Sequence, residues 1–399
     1  MKAAGLLHPE GRLDIELACR ANAVERVTIQ SGRPLRVSRI MENTPPDEAL
    51  RRMPLVFSVC ATAQCEAALA ACEQALGHIP TPAHQHARAM LVAMETAREH
   101  LLRILLDWTG FIGEDVPGAH LPQLMRLLPG LRRALYGEAN PFLLHARPHI
   151  HFAALADAID ALRSMNALVL GSDGDPCASP LRSRSAFEAW VARGETLPAR
   201  LLRDVRARRW ERLGHGGSVW LPRLEADALR RRLAGNDHEA FIAAPHWQDT
   251  PCETTALARQ RTHPLVADLL ETEGSGLLTR LAARLVELER IPQSLTEDMA
   301  RLRQQGDPAV DATASGVGLA QVEAARGRLV HYVEITDGMV QRFRILAPTE
   351  WNFHPQGVAA RGLMTLDGRD EETLQRQGAL WINAIDPCVG FTLRRTEHA

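Results

Sequence analysis

Ala384-Ile385-Asp386-Pro387-Cys388-Val389-Gly390-Phe391-Thr392-Leu393-Arg394 lies close to the C-terminus, directly after an amphipathic run. Proline cannot continue a helix and fixes its own backbone, so Cys388 is expected to project from a stiff turn. The run before it, Glu371 to Ile385, reads as a final helix. Near the other end of the chain, Phe57-Ser58-Val59-Cys60-Ala61-Thr62-Ala63-Gln64-Cys65 opens an Ala-rich helical segment over residues 60–76. Cys60 precedes that helix, where the helix dipole favours a thiolate, so a lowered thiol pKa is expected there. Cys65 and Cys72 share one helix face and read as core, where cysteine behaves as a small hydrophobe. Spacings of Cys-x4-Cys and Cys-x6-Cys, with no neighbouring His or Cys pair, are not those of a zinc finger or ribbon.

The chain has 399 residues, 46% apolar and 24% charged, a composition that can build a large globular core. A net charge of −2 gives no electrostatic ground for nucleic acid or an anionic membrane as partner. No apolar run reaches the roughly 18 residues of a membrane helix, so no membrane insertion is expected. The first ten residues hold too short an apolar stretch for a signal peptide. Seven scattered cysteines, an odd number, argue against a disulfide framework and for a reducing, cytoplasmic setting.

Working inward, residues 6–30 read as a β-hairpin. Leu13, Ile15 and Leu17 alternate with Arg12, Asp14 and Glu16, Val27 and Ile29 alternate on the return, and residues 20–23 turn. A polar connection, residues 43–47, follows. Over residues 82–109, Met90, Met94, Ala97, Leu101, Leu105 and Trp108 form one apolar helical stripe, with Glu95, Glu99, His100 and Arg103 mostly off it. His84-x-His86 and His149-x-His151 resemble metal pairs but lie in mixed, proline-bounded contexts. Shorter helices broken at Pro117, Pro122, Pro129 and Pro148 are expected over residues 110–166. Residues 167–260 are the least legible. Residues 171–176 read as a surface loop without calcium-site spacing. Residues 185–212 read as a basic helical segment, either a solvated face or a docking surface for an acidic partner. Residues 213–218 are Gly-rich without the spacing of a phosphate cradle. Further helix is expected over residues 264–290, with Leu277, Leu278, Leu281, Leu285 and Leu288 on one face. Two alternating runs, 322–335 and 340–346, flank Asp337-Gly338, a strong hairpin signal.

Several of these stretches resemble nickel–iron hydrogenase large subunits. In that family a late Asp-Pro-Cys-x-x-Cys-x-x-His and an early Arg-x-Cys-Gly-x-Cys supply four thiolates to a buried Ni–Fe centre. Here Cys60 and Cys388 match the first cysteine of each pair, Ala63 and Phe391 replace the second, and Arg394 replaces the histidine. The cysteines lost are those that bridge the two metals in the family. Residues 322–355 resemble the family's Glu-Ala-Pro-Arg-Gly-x-Leu-x-His, hairpin, Pro-Thr-x-Trp-Asn-x-x-Pro sequence. There an arginine and a serine or threonine hydrogen-bond the two cyanides on iron; Arg326 and Thr349 hold those positions, and Ala325 replaces the proline. Glu10-Gly11-Arg12-Leu13 resembles Arg-Ile-Glu-Gly-His-Leu, which makes Glu10 a candidate proton relay or pocket residue. Residues 90–102 resemble the helix carrying Glu-x-x-x-Ser-His, with Glu95 and His100 in register and Glu99 for the serine. The Arg-Gly-Phe-Glu segment, source of a magnesium-binding glutamate, is not found. His398 stands ten residues past Cys388 rather than six, so no nickel-dependent C-terminal cleavage is expected.

This pattern of kept and lost residues resembles the HupK-type (HoxV-type) hydrogenase maturation proteins. The resemblance implies an α+β, mainly helical fold of the nickel–iron hydrogenase large-subunit kind, with a central helix bundle and flanking β-hairpins. It implies one large domain over 1–399: an N-terminal hairpin and connection (1–58), a helical core (59–166), a variable region (167–260), then helices, hairpin and the Asp-Pro-Cys segment (261–399). It also implies a role that is not enzymatic: an accessory scaffold that binds an Fe(CN)2(CO) fragment transiently at Cys60 and Cys388, without nickel. Hydrogenase maturation chaperones and the hydrogenase large subunit are the expected partners. The chemistry is coherent, because low-valent iron carrying CO and cyanide is soft and thiolate is its natural ligand. Buried cyanide nitrogens need donors, and Arg326 and Thr349 are suitable ones. Two other readings are an interaction chaperone with a vestigial pocket, and a redox enzyme using Cys60 and Cys388 with Glu10 as relay.

Overall fold

The computed structural model describes residues 11–20, 22–172, 178–303, 309–310 and 314–397. Glu10 lies outside the described residues, as do residues 173–176 of the expected surface loop. The N-terminal alternation forms β1 (Arg12–Arg20) and β2 (Ala23–Ser31), an antiparallel pair whose Leu13, Ile15, Leu17 and Ile29 are buried. After the connection come α1 (Pro46–Val56) and the Ala-rich α2 (Ala61–Ala75). The apolar stripe belongs to α3 (Pro82–Leu102), which continues through a π-helical segment, Arg103–Trp108, and a last turn, Thr109–Ile112. Every residue of the stripe is buried, and so are Glu95, Glu99 and His100, because the helix is covered nearly all round.

The helices α4 (Leu121–Tyr136) and α5 (Phe152–Leu170) follow. The prolines of α4 do not break it as expected. Pro122 stands at its start, where the missing N–H is harmless, and Pro129 is accommodated inside. The basic segment divides into α6 (Arg184–Arg193) and α7 (Leu197–Ala207). Its arginines are engaged within the molecule: Arg200 with Glu114, Arg206 with Glu188 and Arg208 with Asp204. That internal pairing favours the solvated-face reading over a docking surface. The helix expected over 264–290 is also two, α8 (Pro264–Glu273) and α9 (Leu277–Arg301), interrupted at residues 274–276.

Three strands then form an antiparallel meander, β3 (Gly316–Ala324), β4 (Gly327–Thr336) and β5 (Met339–Leu346). Asp337 and Gly338, at φ +51° and +72°, make the expected turn. The run read as one strand over 322–335 is in fact interrupted by a tight turn at Ala325-Arg326, which puts Arg326 at a sheet end. The chain closes with α10 (Glu371–Ile385) and β6 (Gly390–Glu397). Strand β6 was not anticipated. It lies parallel to β1 and completes a sheet of order β2-β1-β6.

The expected α+β, mainly helical architecture is present. α9 packs against α3 and α5, α4 packs against both of these, and α2 lies on β3 and β4. That last approach is close: a Cβ on Gly318 would stand 1.7 Å from the Ala71 carbonyl oxygen. No helix among the described residues is long and apolar enough to cross a membrane.

A buried charge cluster ties these parts together. Asp386 caps α10 in the left-handed region, at φ +69°, and is 3% exposed. Its Oδ1 accepts from Arg103 Nε at 2.8 Å and Arg326 Nε at 3.1 Å, and its Oδ2 lies 3.4 Å from Arg284 Nη2. Arg103 opens the π-helical segment, Arg284 lies in α9 and Arg326 in the β3–β4 turn. Burial by itself raises the Asp386 pKa, but the guanidinia of Arg326, Arg103 and Arg284 overcome it and hold the carboxyl well below the usual range. A depressed carboxyl stabilises the fold above its unfolded pKa and loses that contribution as pH falls through its folded one.

Asp386→Asn should therefore cost about 3–5 kcal/mol in urea unfolding at neutral pH, since buried guanidinia lose their counter-charge. The gap between wild type and variant should narrow as acid removes the same charge from the wild type. Gly327, at φ +130°, packs so that a Cβ would fall 1.8 Å from the Thr254 carbonyl oxygen, whereas Gly338 has open space. Gly327→Ala should cost more than about 2 kcal/mol through overpacking, and Gly338→Ala only about 1 kcal/mol of backbone strain; both are read from denaturation midpoints.

Candidate functional site

Cys60 is the residue before α2, with its side chain buried. The carboxylate of Glu95, from α3, accepts the first free N–H groups of α2, from Thr62 at 2.8 Å and Ala63 at 2.9 Å. The positive end of the helix is thus already answered by a carboxylate. The expectation of a lowered Cys60 pKa is accordingly wrong. Burial pushes the thiol up to about 12; Arg326 opposes this, and Glu95 reinforces it. Arg326 Nη1 donates to Cys60 Sγ at 3.2 Å. Its Nε is held by Asp386 and by the Pro387 carbonyl at 3.2 Å, and its Nη2 by Glu99 at 3.2 Å.

Cys388 follows the Asp386-Pro387 turn and is half-buried. Thr349, in a short helix Pro348–Asn352 directly after β5, donates from Oγ1 to Cys388 Sγ at 2.9 Å. It accepts the Cys388 N–H at 3.2 Å in return. Asn352, on the same short helix as Thr349, donates from Nδ2 to the Arg326 carbonyl at 3.0 Å, and its Oδ1 accepts the Thr254 N–H at 2.9 Å. Each thiol therefore has one of the sequence-predicted donors on it, Arg326 on Cys60 and Thr349 on Cys388.

A small cavity of about 30 Å³ opens between the two cysteines, bounded also by Arg33, Phe57, Gln64 and Leu329. Gln64 is held in place by His331, 2.7 Å away, whose pKa burial lowers to about 3, so its ring is neutral. Val59, Cys388 and Val389 form the partition between this cavity and a larger cleft of about 790 Å³. The cleft is lined by Arg103, Asp107, Asn383, Asp386 and Phe391 among others. Ala63 is fully buried and fills its position with apolar contacts to Val92 and Ala324 neighbours. Phe391 pairs with Leu13 in the sheet and is partly exposed in the cleft; Arg394 is exposed opposite Glu16.

The remaining sequence candidates have structural partners. His100 Nε2 lies 2.8 Å from Glu287, which also clamps Arg259, so His100 is a hydrogen-bonded packing residue. His84 contacts Thr81, and His86 contacts Asp298 at 2.9 Å. His149 and His151 stack edge to face, 4.8 Å apart. Among the described residues no group of three or more His, Cys, Asp or Glu could hold a metal ion. One site residue was missed by the sequence reading. Arg33 Nη1 lies 3.1 and 3.3 Å from the two Glu350 oxygens and 3.9 Å from Cys388 Sγ. The available signal was Glu350 itself, an acid beside Thr349 that needs a partner once buried.

The family described as Nickel-dependent hydrogenase matches residues 222–363, so the later part of the region read as variable belongs to the shared pattern. The Ni-Fe-Se hydrogenase from D. vulgaris Hildenborough superposes with a TM-score of 0.67 at 14% identity, over 93% of this chain and 95% of its own. Among curated proteins, the hydrogenase expression/formation protein HupK of Azotobacter vinelandii is 30% identical, over 96% of this chain and 98% of its own. The hydrogenase expression/formation protein HoxV of Cupriavidus necator is 29% identical, over 92% and 93%. With near full-length agreement of this kind, on a hydrogenase large-subunit fold, the chain belongs to the HupK/HoxV family of hydrogenase expression/formation proteins.

Proposed function

We propose that this protein is a non-catalytic scaffold of nickel–iron hydrogenase maturation. It takes up an Fe(CN)2(CO) fragment at Cys60 and Cys388, holds it transiently in the cytoplasm, and passes it to a hydrogenase large subunit. Small maturation chaperones are its other partners. One observation carries this reading: two thiols from opposite ends of the chain flank one cavity, and each is hydrogen-bonded by a donor suited to cyanide. Two soft sulfurs suit one low-valent iron. Ala63 and Phe391, standing where further thiols would be needed, leave no ligand set for a second metal.

The donors have defined capacity. Arg326 has Nε and Nη2 committed to Asp386, Pro387 and Glu99, so Nη1, now on Cys60, is the group that turns to a cyanide nitrogen. Thr349 has a single O–H, now on Cys388 Sγ, and it makes the same exchange as that sulfur takes the iron. The enclosed cavity alone has room for about two water molecules. The fragment therefore enters past Cys388 from the larger cleft, and its outermost ligand stays on that side. A site that is only partly enclosed suits a cargo that has to leave again.

Infrared spectra of protein purified without oxygen, from cells with the full maturation machinery, should show metal-bound CO and cyanide bands. Cys60→Ser and Cys388→Ser should each abolish them. Thr349→Val should keep the iron with roughly tenfold weaker retention, the value of a hydrogen bond to a charged group, and should move one cyanide band. A blank wild-type spectrum would rule out the carrier role and leave a protein-interaction chaperone with a vestigial pocket.

A further inference from the structure

Two guanidinium groups, not one, face the thiol pair. Arg326 approaches Cys60 at 3.2 Å, and Arg33 approaches Cys388 at 3.9 Å. Arg33 belongs to the exit of β2, between Gly32 and Pro34, and its side chain is 10% exposed. Glu350 pairs with it, accepting from Nη1, the nitrogen that also lies near Cys388 Sγ, in both carboxylate oxygens and also capping the Ala347 N–H at 3.1 Å. The ring of Phe57 lies 6.0 Å beneath the guanidinium carbon. Among the described residues, Nε and Nη2 of Arg33 have no hydrogen-bond acceptor, and the residue lines the cavity between the two cysteines.

Two thiols in a buried pocket are, by donor chemistry alone, an attractive place for any thiophilic divalent cation. A bare Zn2+ or Ni2+ shared by Cys60 and Cys388 would sit a few ångströms from both guanidinia. Coulomb repulsion there acts in a medium far less screening than water. A cyanide-bearing iron meets the same wall differently, because it presents anionic nitrogens to guanidinium N–H donors. Resting on the carrier reading above, we propose that Arg33 is a specificity-determining residue. It keeps bare divalent cations off the Cys60–Cys388 pair and reserves the pair for iron already carrying anionic ligands.

The test uses the whole chain without metal, titrated anaerobically with Zn2+ against a chromophoric chelator. Arg33→Gln alone would leave Glu350 buried and unpaired, so the informative variant is Arg33→Gln with Glu350→Gln, which removes both charges of the pair together. Arg33→Lys keeps the positive charge, and a thermal melt verifies that each variant is folded. Wild type and Arg33→Lys should hold Zn2+ weakly. The double variant should bind it at least tenfold more tightly, and adding Cys388→Ser should abolish the gain. Equal Zn2+ affinity in wild type and the folded double variant would overturn the proposal, as would a gain that survives Cys388→Ser. Infrared spectra separate this outcome from failure of the carrier role. Wild type without CO and cyanide bands removes the carrier role, while the Zn2+ titration still decides whether Arg33 excludes cations.

Discussion

The site depends on one buried carboxylate. Asp386 gathers guanidinia from the π-helical segment after α3, from α9 and from the β3–β4 turn, segments far apart in sequence. A carboxylate so deep in the protein would be costly alone, and so would each arginine; together they satisfy one another. The arrangement is directional as well as stabilising. Arg326 is anchored by Nε on Asp386 and on the carbonyl of the next residue, Pro387, so its Nη1 is aimed at Cys60. The residue after that proline is Cys388. One ion cluster therefore sets the position of a thiol on one side and of a donor to the other thiol on the opposite side.

Around this cluster the protein has the fold of a hydrogenase large subunit. Ala63 is sealed into the apolar contact between α2 and β4, and Phe391 is drawn into the sheet with β1. Ala63 could not be enlarged without disturbing this packing, whereas Phe391 keeps its side chain partly exposed in the cleft. Burial, reinforced by the Glu95 carboxylate at the start of α2, holds the Cys60 thiol pKa high, so Cys60 is not an activated nucleophile.

Much of this was legible in the sequence, and the failures have physical causes. The N-terminal hairpin, the striped helix, the Asp337-Gly338 turn and the final helix all declare themselves through local periodicity or turn chemistry, which need no knowledge of neighbours. The turn at Ala325-Arg326 stayed hidden because strand-like alternation resumes directly after it in β4, and only the antiparallel pairing of β3 with β4 reveals the break. Strand β6 was missed because its partner is β1, some 378 positions away, and its own residues are mixed and largely exposed. The Cys60 pKa was misjudged because the helix start is visible in sequence, whereas the burial that raises the thiol pKa, with Glu95 from another helix adding to it, is not. Arg33 could be recognised only once Glu350 and Cys388 were seen beside it.

The parallel pairing of β6 with β1 has a temporal consequence. A growing chain that has already made β1, Arg33 and Cys60 still lacks Cys388, the Asp386 anchor and the strand that closes the sheet. Until those last residues emerge, the cavity has one wall, one thiol and an arginine with no carboxylate to aim it. Contacts between such distant segments also form slowly, since a long loop must close before they gain anything. The walls of the pocket therefore come together only once residues 386–397 have been made and paired with β1.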